Sequence, residues 1–392
     1  MQALPLNRSA AELPVPSDDA RRHSERLVEK VRAEVEEHGG WISFTRYMEM
    51  ALYAPGLGYY VAGAAKLGSE GDFVTAPEVS PLFGRTLAAQ VADILAHTGG
   101  GVLELGAGSG TLALTLLEGL QARKRLPERY RILEVSPELV QRQRRLLRQR
   151  LPGLVDRVEW ITSLPPHFTG VVVANEVLDA LPVHLLAWHE EGVSERGVTC
   201  EGEGFAWKER GLAPGVLRDA AAALQIEAPY LSELSIAAPA LIRTLAGALD
   251  QGVLLCVDYG FGRREYYHPQ RNRGTLMCHY RHRAHDDPFF SPGLQDITAH
   301  VDFTSVAEAG IEAGLQLIGY TTQGQFLINS GIAELLARTP ADQTAAYLPL
   351  AAGVQKLVSP AEMGELFKVI ALGRGVQPPL AGFRTGDKSR LL

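Results

Sequence analysis

Three glycines at alternate positions, Gly106, Gly108 and Gly110, are the residues of this sequence best suited to close contact with a nucleotide. The apolar run 101–105 before them is typical of a buried parallel strand, and the stretch 111–118 after them is typical of a helix. Glycine permits positive φ angles and lets a ligand approach the backbone. A dinucleotide-binding turn has the spacing G-x-G-x-x-G, and a P-loop has a lysine after its last glycine. This turn has neither feature, so the sequence predicts the first unit of an α/β sheet that binds another kind of nucleotide.

An acidic residue near the end of the next predicted strand, Glu134, supports a nucleoside site. It lies 28 residues after Gly106, within the strand-like stretch 130–135. A carboxylate at this place can accept hydrogen bonds from both hydroxyls of a ribose. Glu134 can equally cap a helix that begins near Ser136, because acidic side chains favour helix N-termini. The two roles are compatible.

Composition and charge exclude several classes of protein. With 392 residues, 46% of them hydrophobic, the chain is long enough for two or three compact pieces and a large core. The net charge of −7 argues against general nucleic-acid binding. Three cysteines without disulfide or metal spacing indicate a reducing compartment. The chain has no apolar run long enough to span a membrane and no signal for export, so we expect a cytoplasmic protein.

Apolar stretches further along the chain predict the remaining strands and the boundaries between domains. The third to seventh strands are expected at 157–162, 170–174, 252–258, 315–320 and 367–372. Helices are expected at 18–38, at 41–53 with Ser43 as N-cap, and from Ser80-Pro81 onward. The predicted organisation has a flexible tail at 1–17, an N-terminal helical cover at 18–84, a sheet domain at 85–375 and a C-terminal tail at 376–392. Connections of unusual length at about 185–250, 259–300 and 323–365 are predicted insertions that build a substrate surface. The first of them contains two aromatic stretches, near Trp188 and at 205–207, which are expected to form extra strands.

Several motifs, in order along the chain, resemble those of the MidA family of S-adenosylmethionine (SAM)-dependent methyltransferases. They cover roughly residues 40 to 370 and lie at 42–48, 51–60, 71–84, 104–111, 175–184, 258–261, 274–280 and 321–326. The mitochondrial members of this family are complex I assembly factors that methylate an arginine of a core subunit. This chain lacks their targeting sequence, which suggests a bacterial member.

The resemblance implies a fold, a methyl donor and a set of cofactor residues. The implied fold is the α/β class I SAM-methyltransferase fold, a Rossmann-like seven-stranded sheet, here with an N-terminal helical region and large insertions. The implied cofactor is SAM as methyl donor, with no metal. The residues expected to bind it are Glu104, Gly106, Ala107, Gly108, Gly110, Glu134 and Asn175. The expected partner is a protein substrate, either a complex I subunit or an equivalent protein, and the oligomeric state is left open.

Methylation of an arginine requires carboxylates near the methyl donor. A guanidinium has a pKa above about 12, so it arrives protonated, and its charge opposes the sulfonium of SAM. Carboxylates bind a guanidinium through paired hydrogen bonds and can take its proton. The candidates are Glu176, Asp179 and Asp72. Glu176 and Asp179 would share a face if they lay on one turn of helix.

Each of these acids also has a structural interpretation. Glu176 can be a helix-start residue with Asn175 as N-cap, although Asn175 can instead contact SAM. Asp179 can be a structural acid, and Asp72 can be a turn acid beside Gly71.

Three further groups of residues are open to two interpretations each. One stretch has four histidines and four aspartates: His279, His282, His285, His300, Asp286, Asp287, Asp296 and Asp302. It either forms a polar substrate-facing loop that includes a general base or binds a metal, although its spacing matches no standard metal site. Four aromatic residues are core residues or walls of the methyl-donor pocket: Tyr59, Tyr60, Phe73 and Tyr259. The arginine-rich stretch 140–150 is a solvated helix face or a docking site for an acidic partner.

Two other functions fit the same motifs. A small-molecule methyltransferase can be built on the same sheet, although the insertions favour a macromolecular substrate. A SAM-binding assembly chaperone without essential catalysis also fits, because binding and turnover need different residues.

Overall fold

In the computed structural model, residues 13–61 and 75–392 are described, and the chain forms two compact units. Of the described residues, the first unit comprises 13–61, 179–238 and 263–300, and the second comprises 75–178, 239–262 and 301–392. Each unit is therefore assembled from three separate segments of the chain. Asp72 and Phe73, which the sequence singled out, lie outside the described residues.

Strands and helices are numbered in chain order. The strands are β1 (Ile42–Ser43), β2 (Gly101–Leu105), β3 (Tyr130–Leu133), β4 (Val158–Ile161), β5 (Phe168–Asn175), β6 (His184–His189), β7 (Gly192–Glu201), β8 (Gly204–Gly211), β9 (Tyr230–Leu234), β10 (Leu249–Phe261), β11 (Met277–Tyr280), β12 (Arg283–His285), β13 (Asp296–Thr298), β14 (Val301–Asp302), β15 (Gln316–Thr322) and β16 (Phe367–Arg374). The α-helices are α1 (Asp18–Glu37), α2 (Phe44–Tyr53), α3 (Ala76–Val79), α4 (Pro81–Thr98), α5 (Thr111–Ala122), α6 (Pro137–Arg150), α7 (Val216–Ala223), α8 (Ala237–Ala248), α9 (Arg263–Tyr266), α10 (Phe303–Glu312), α11 (Gln323–Asn329), α12 (Ile332–Leu336), α13 (Thr344–Val358) and α14 (Met363–Leu366).

The second unit is built on one large sheet. Seven strands follow the order β15-β16-β10-β5-β2-β3-β4, and the short β14 pairs with the end of β10. Strands β10, β5, β2, β3 and β4 are parallel, whereas β16 runs antiparallel to both of its neighbours. All five residues of β2 are buried, as expected where a parallel sheet is covered on both faces. The predicted mixed α/β fold with a large, mostly parallel sheet is confirmed.

All seven predicted strands of this sheet are present, with small differences in their ends. The second strand stops at Leu133, so Glu134 lies just after it. Helix α4 begins as predicted, with Pro81 at its first position and the Ser80 hydroxyl accepting a hydrogen bond from the N–H of Leu82 at 3.2 Å. Residues 376–392, predicted as a tail, pack on the unit: the N–H of Tyr320 donates to Asp387, and Phe383 is buried.

The first unit combines α1 and α2 with antiparallel strands. Strands β1, β7, β6 and β9 are neighbours in that order, with β8 beside β7, and β12-β11-β13 form a second sheet. The two aromatic stretches of the first predicted insertion lie on β6 and β8, as expected. Helix α2 begins after Ser43, whose hydroxyl accepts a hydrogen bond from the N–H of Arg46. The helices of the N-terminal region are thus divided between the units, because α3 and α4 belong to the second.

In the part of the chain that the structure describes, no helix is both long and apolar enough to cross a membrane.

Candidate functional site

The glycine turn follows β2 and leads directly into α5. Gly106, Gly108 and Gly110 have φ angles of 59°, 52° and 86°, in the left-handed region that glycine adopts without strain. The N–H of Gly110 donates to the carbonyl of Ala107 at 2.8 Å, which closes the turn. A Cβ atom at Gly110 would lie 3.1 Å from Cγ of Gln143. Backbone conformation therefore favours glycine at all three positions, and close packing against Gln143 of α6 adds to this at Gly110.

A buried network joins Glu134 to the glycine turn. One carboxylate oxygen of Glu134 accepts a hydrogen bond from the N–H of Ser136, and the other accepts one from Nε2 of Gln143, both at 3.0 Å. The same Nε2 donates to the carbonyl of Gly108 at 2.9 Å. Burial raises the pKa of Glu134, and these hydrogen bonds oppose the rise. The local bond near the start of α6 was expected, whereas the role of Gln143 was not.

These residues fit the nucleoside part of SAM. A carboxylate offers about four acceptor positions, so Glu134 can accept further bonds from ribose hydroxyls. A Cβ atom at Gly106 would meet only Cγ2 of Val177, at 3.6 Å, so space remains beside the turn for a ligand. The turn and Glu134 belong to the same unit, and Gln143 holds them in one arrangement.

The prediction that Glu134 accepts hydrogen bonds from the ribose of SAM is testable: Glu134→Ala should then weaken SAM binding by about 1–3 kcal/mol, the cost of leaving hydroxyls unpaired. For a SAM analogue without ribose hydroxyls, Glu134→Ala should change the affinity little. Titration calorimetry with both ligands tests this, with Glu128→Ala as a matched change of an exposed acid on the same unit. Equal losses for both ligands would indicate that Glu134 only supports the fold.

Glu104 lies inside the sheet, one residue before the end of β2. Its side chain is 1% exposed, and its Oε2 accepts a hydrogen bond from the hydroxyl of Tyr130 at 2.5 Å. Burial raises the pKa of Glu104 to about 7, against the hydrogen bond from Tyr130, and the neighbouring charge of Glu134 adds to the rise. Near neutral pH this carboxyl is therefore divided between its charged and neutral forms.

The raised pKa of Glu104 makes the stability of the protein depend on pH. Its unfolded pKa is near 4.5 and its folded pKa about 7. The folded state therefore holds this proton more tightly, and the stability associated with it is present below pH 4.5 and is lost as the pH rises toward 7. Glu104→Gln should remove this loss while keeping an acceptor for Tyr130. Chemical denaturation at a series of pH values measures the free energy of unfolding of the two proteins. If that free energy varied with pH in the same way in both, the raised pKa of Glu104 would be contradicted.

The segment after β5 leaves the sheet beside the glycine turn. Leu105 of β2 lies opposite Ala174 of β5, so the residues that follow each strand emerge side by side. Glu176 has a φ angle of 53°, which is uncommon for a residue with a side chain. Its Oε1 accepts hydrogen bonds from the N–H of Ala76 at 3.2 Å and from Nδ2 of Asn175 at 3.1 Å. An acid held in such a conformation at this edge is a candidate for chemistry.

Asp258 fixes the segment that carries Glu176. This aspartate is 1% exposed and lies on β10, the strand beside β5. Its Oδ2 accepts hydrogen bonds from the N–H groups of Val177 and Leu178 at 3.1 and 2.9 Å, and its Oδ1 accepts one from Tyr259 at 2.9 Å. Asp258 begins the family motif at 258–261, and its motif predicted no role for it. The signal was an acid within an otherwise apolar strand.

The predicted helical turn that would join Glu176 and Asp179 is wrong. Residues 176–183 form a bend and a turn with no helix, so neither a shared helix face nor Asn175 as an N-cap applies. The N–H of Glu176 donates to the carbonyl of Val257 at 2.9 Å, which continues the pairing between β5 and β10 by one residue. Glu176 belongs to the second unit and Asp179 to the first.

In the first unit, Asp179 is buried near two tyrosines. The hydroxyl of Tyr53 donates to the carbonyl of Ala180 at 3.0 Å, and the hydroxyl of Tyr60 donates to Asp296 at 2.8 Å. Burial raises the pKa of both tyrosines, and the charges of Asp296 and Asp179 add to the effect. The first unit therefore has two acids close to the same pair of phenols.

Most of the histidine-rich stretch lies in and between the strands of the second sheet of the first unit, whereas Asp302 lies on β14 in the second unit. His279 lies on β11 between Ala284 and Asp296, and burial lowers its pKa to about 4. A histidine with so low a pKa is a weak general base at neutral pH. His282 lies in the turn after β11, with a φ angle of 61°. Among residues 13–61 and 75–392, no group of three or more histidines, cysteines and acids is arranged to hold a metal ion.

Aromatic side chains singled out in the sequence serve the two cores. Tyr59 is buried in the core of the first unit, and Tyr60 packs against it. Tyr259 is buried in the core of the second unit, with its ring centroid 5.4 Å from that of Phe367.

A buried acid that sequence analysis missed, Glu233, organises part of the first unit. It is 1% exposed, and its carboxylate accepts hydrogen bonds from the N–H groups of Thr275 and Leu276 at 2.9 Å and from the hydroxyl of Tyr266 at 3.3 Å. A Cβ atom at Gly274, whose φ angle is 78°, would lie 2.3 Å from Oε1 of Glu233. The motif at 274–280 is therefore held by a structural carboxylate.

Comparisons with known proteins agree with this geometry. A family model of S-adenosyl-L-methionine-dependent methyltransferases matches residues 86–321. The mitochondrial protein arginine methyltransferase NDUFAF7 of Danio rerio is 30% identical over 373 residues, which cover 85% of this chain and 83% of the relative. The human NDUFAF7 is 28% identical over 363 residues, with 85% and 80% covered.

A solved bacterial structure is closer in sequence. It is a protein from Burkholderia thailandensis bound to S-adenosyl-homocysteine, with a TM-score of 0.95 and 50% identity over 97% of this chain and 100% of that chain. A second structure from the same organism has a TM-score of 0.92 at 49% identity. The family match extends over more than half of the chain and includes the glycine turn, Glu134, Glu176 and Asp258. The chain therefore belongs to the MidA family of SAM-dependent methyltransferases, and SAM is its methyl donor.

Proposed function

We propose that this protein transfers a methyl group from SAM to an arginine of a protein, a respiratory complex I subunit or an equivalent. The second unit would be a class I methyltransferase domain. The arginine methyltransferases among the relatives support this substrate class. The observation that carries the proposal is the carboxylate of Glu176, held at the edge of the sheet beside the glycine turn. The free thiols of Cys200, Cys256 and Cys278 fit a reducing compartment such as the bacterial cytoplasm.

The proposed cofactor residues divide the work of holding SAM. Glu134 accepts hydrogen bonds from the ribose, and the backbone of Gly106, Ala107, Gly108 and Gly110 gives the ligand room at the turn. Glu104 and Asn175 contribute at the methionine end. When bound, SAM supplies an electrophilic methyl group on a sulfonium. Because the transfer is an in-line displacement, positioning the nucleophile is the main task of the protein, worth roughly 7–11 kcal/mol at best.

Glu176 suits the task of preparing a guanidinium. A carboxylate can bind a guanidinium, localise its charge and take its proton as the methyl group is transferred. Hydrogen bonds from Ala76 and Asn175 limit the motion of one carboxylate oxygen. Asp258 positions the backbone that follows, so Glu176 is part of a rigid segment.

Asp179 is proposed as a second acid that acts on the substrate. Its support is burial beside Tyr53, Tyr60 and Asp296 in the first unit. Variants of Glu176 and Asp179 measured in parallel assign their roles: loss of turnover at constant substrate affinity identifies the acid that acts on the nucleophile, and loss of substrate affinity identifies one that binds the guanidinium.

Incubating the purified protein with radiolabelled SAM and a cell extract tests the proposed function. The expected result is one labelled protein whose peptide map places methyl groups on an arginine. Label found in small molecules would instead favour a small-molecule methyltransferase. No label, together with tight binding of SAM by the same preparation, would favour an assembly chaperone.

A further inference from the structure

A cleft of about 650 Å³ lies at the outer edge of the large sheet, between β4 and α6. Three arginines line it, Arg129, Arg144 and Arg148, together with Trp160 of β4 and two acids, Asp156 and Glu159. Glu159 pairs with Arg131 at 3.0 Å, so the arginines outnumber the acids of the cleft. Its volume lies within the usual range for ligand sites. All of its residues belong to the second unit, and none of them takes part in the proposed methyl transfer.

One arginine of the cleft is held in place by an aromatic ring. The guanidinium carbon of Arg144 lies 4.9 Å from the centroid of the Trp160 ring. The indole Nε1 donates to Oε1 of Gln143 at 2.8 Å, which fixes the ring. Stacking on a fixed ring orients the planar guanidinium before any ligand arrives.

The charge of α6 favours an acidic occupant. The helix carries five arginines and one acid, Glu138. Arg144 and Arg148 are four residues apart on one face, where like charges destabilise a helix. In the part of the chain that the structure describes, no carboxylate lies within 4 Å of either guanidinium, whereas Arg150 pairs with Glu118 at 3.8 Å. An acidic ligand would offset this repulsion.

The position of the cleft at a strand edge indicates the shape of that occupant. In the described part of the chain β4 is the last strand of the sheet, with β3 as its one neighbour. Val158, Glu159 and Trp160 all line the cleft, although successive residues of a strand point to opposite faces. The cleft therefore follows the edge of β4, where an extended peptide can add as a further strand.

The spacing of the arginines matches such a peptide. Residues four apart on a helix are separated by about 6 Å along its axis, and residues two apart in a strand by about 6.6 Å. Arg144 and Arg148 can therefore each meet an acidic side chain at alternate positions of a strand. We propose that this cleft binds an extended segment with alternating acidic residues, belonging to the protein substrate but distant from the methylated arginine. The inference rests on the proposed protein substrate.

Binding of labelled peptides to the full-length protein tests the proposal by fluorescence anisotropy. The probe alternates glutamate with threonine, and a second peptide has the same composition with the glutamates in one block. We expect saturable binding of the alternating peptide that weakens with added salt. The double variant Arg144→Glu, Arg148→Glu should lose at least about tenfold in affinity. Arg145→Glu, the same charge change on the same helix outside the cleft, should change affinity by less than about threefold.

Three results would overturn the proposal: no saturable binding at low salt, equal losses in Arg145→Glu and the double variant, or tighter binding of an RNA oligonucleotide. If the block peptide bound as tightly as the alternating peptide, the proposed addition of the peptide as a strand beside β4 would be overturned. Unchanged SAM affinity of the double variant verifies that its fold is intact. If the protein bound the alternating peptide but methylated no arginine, the proposed function would be contradicted. The assignment of the cleft to an acidic extended segment would still hold.

Discussion

Glu176→Gln is expected to lower turnover by at least about 100-fold while SAM affinity changes by less than about tenfold. Glutamine keeps an acceptor oxygen for the N–H of Ala76 and for Asn175, so the segment after β5 should keep its conformation. It cannot carry the negative charge that binds a guanidinium or accept its proton. Single-turnover methyl transfer and titration calorimetry with SAM, on the same preparation, measure the two quantities.

A matched change of an exposed glutamate on the same unit, Glu334→Gln, should leave both quantities near their original values. Parallel losses of SAM affinity and turnover in Glu176→Gln would make Glu176 a cofactor residue. Normal assembly of the partner complex in cells by a variant without measurable turnover would favour the chaperone function.

Gly108→Leu is expected to lower SAM affinity by at least about 100-fold, more than 2.7 kcal/mol, while the protein stays folded. If this turn holds SAM as proposed, the leucine side chain would occupy space that the ligand needs. The φ angle of 52° also disfavours leucine, at a cost of about 1–2 kcal/mol, which lowers stability without abolishing the fold. Calorimetry measures the affinity, and circular dichroism with thermal unfolding measures the fold.

Gly153→Leu is the matched control for that variant. A Cβ atom at Gly153 would meet nothing within 4 Å, and its φ angle lies outside the left-handed region. It should bind SAM as the original protein does. Unchanged affinity in Gly108→Leu would overturn the assignment of this turn to SAM.

Local patterns were sufficient to predict the elements of the large sheet. The run 101–105 is buried at every position, and the glycines after it adopt the positive φ angles that their spacing predicted. Ser43 and Ser80 cap the helices expected to begin there. These features depend on a few neighbouring residues, so a short stretch of the sequence is enough to predict them.

Long-range contacts account for what sequence analysis missed. Asp258 accepts hydrogen bonds from the N–H groups of Val177 and Leu178, which lie 81 and 80 residues earlier in the chain, and these bonds fix the course of the segment after Glu176. Gln143 lies in an arginine-rich helix, and its role follows from contacts with Glu134 and Gly108. A short stretch of sequence does not indicate which distant residues will form hydrogen bonds with it.

Strand β16 has a consequence for the synthesis of this protein. It pairs between β10 and β15, yet about a hundred residues separate the end of β10 from its start. At about 5–20 residues per second, the ribosome needs roughly 5–20 s to make that stretch. Throughout this interval the nascent chain presents an apolar strand edge without its partner, which is the kind of surface that aggregates. Chaperone protection therefore matters most late in translation, before the last strand of the sheet emerges.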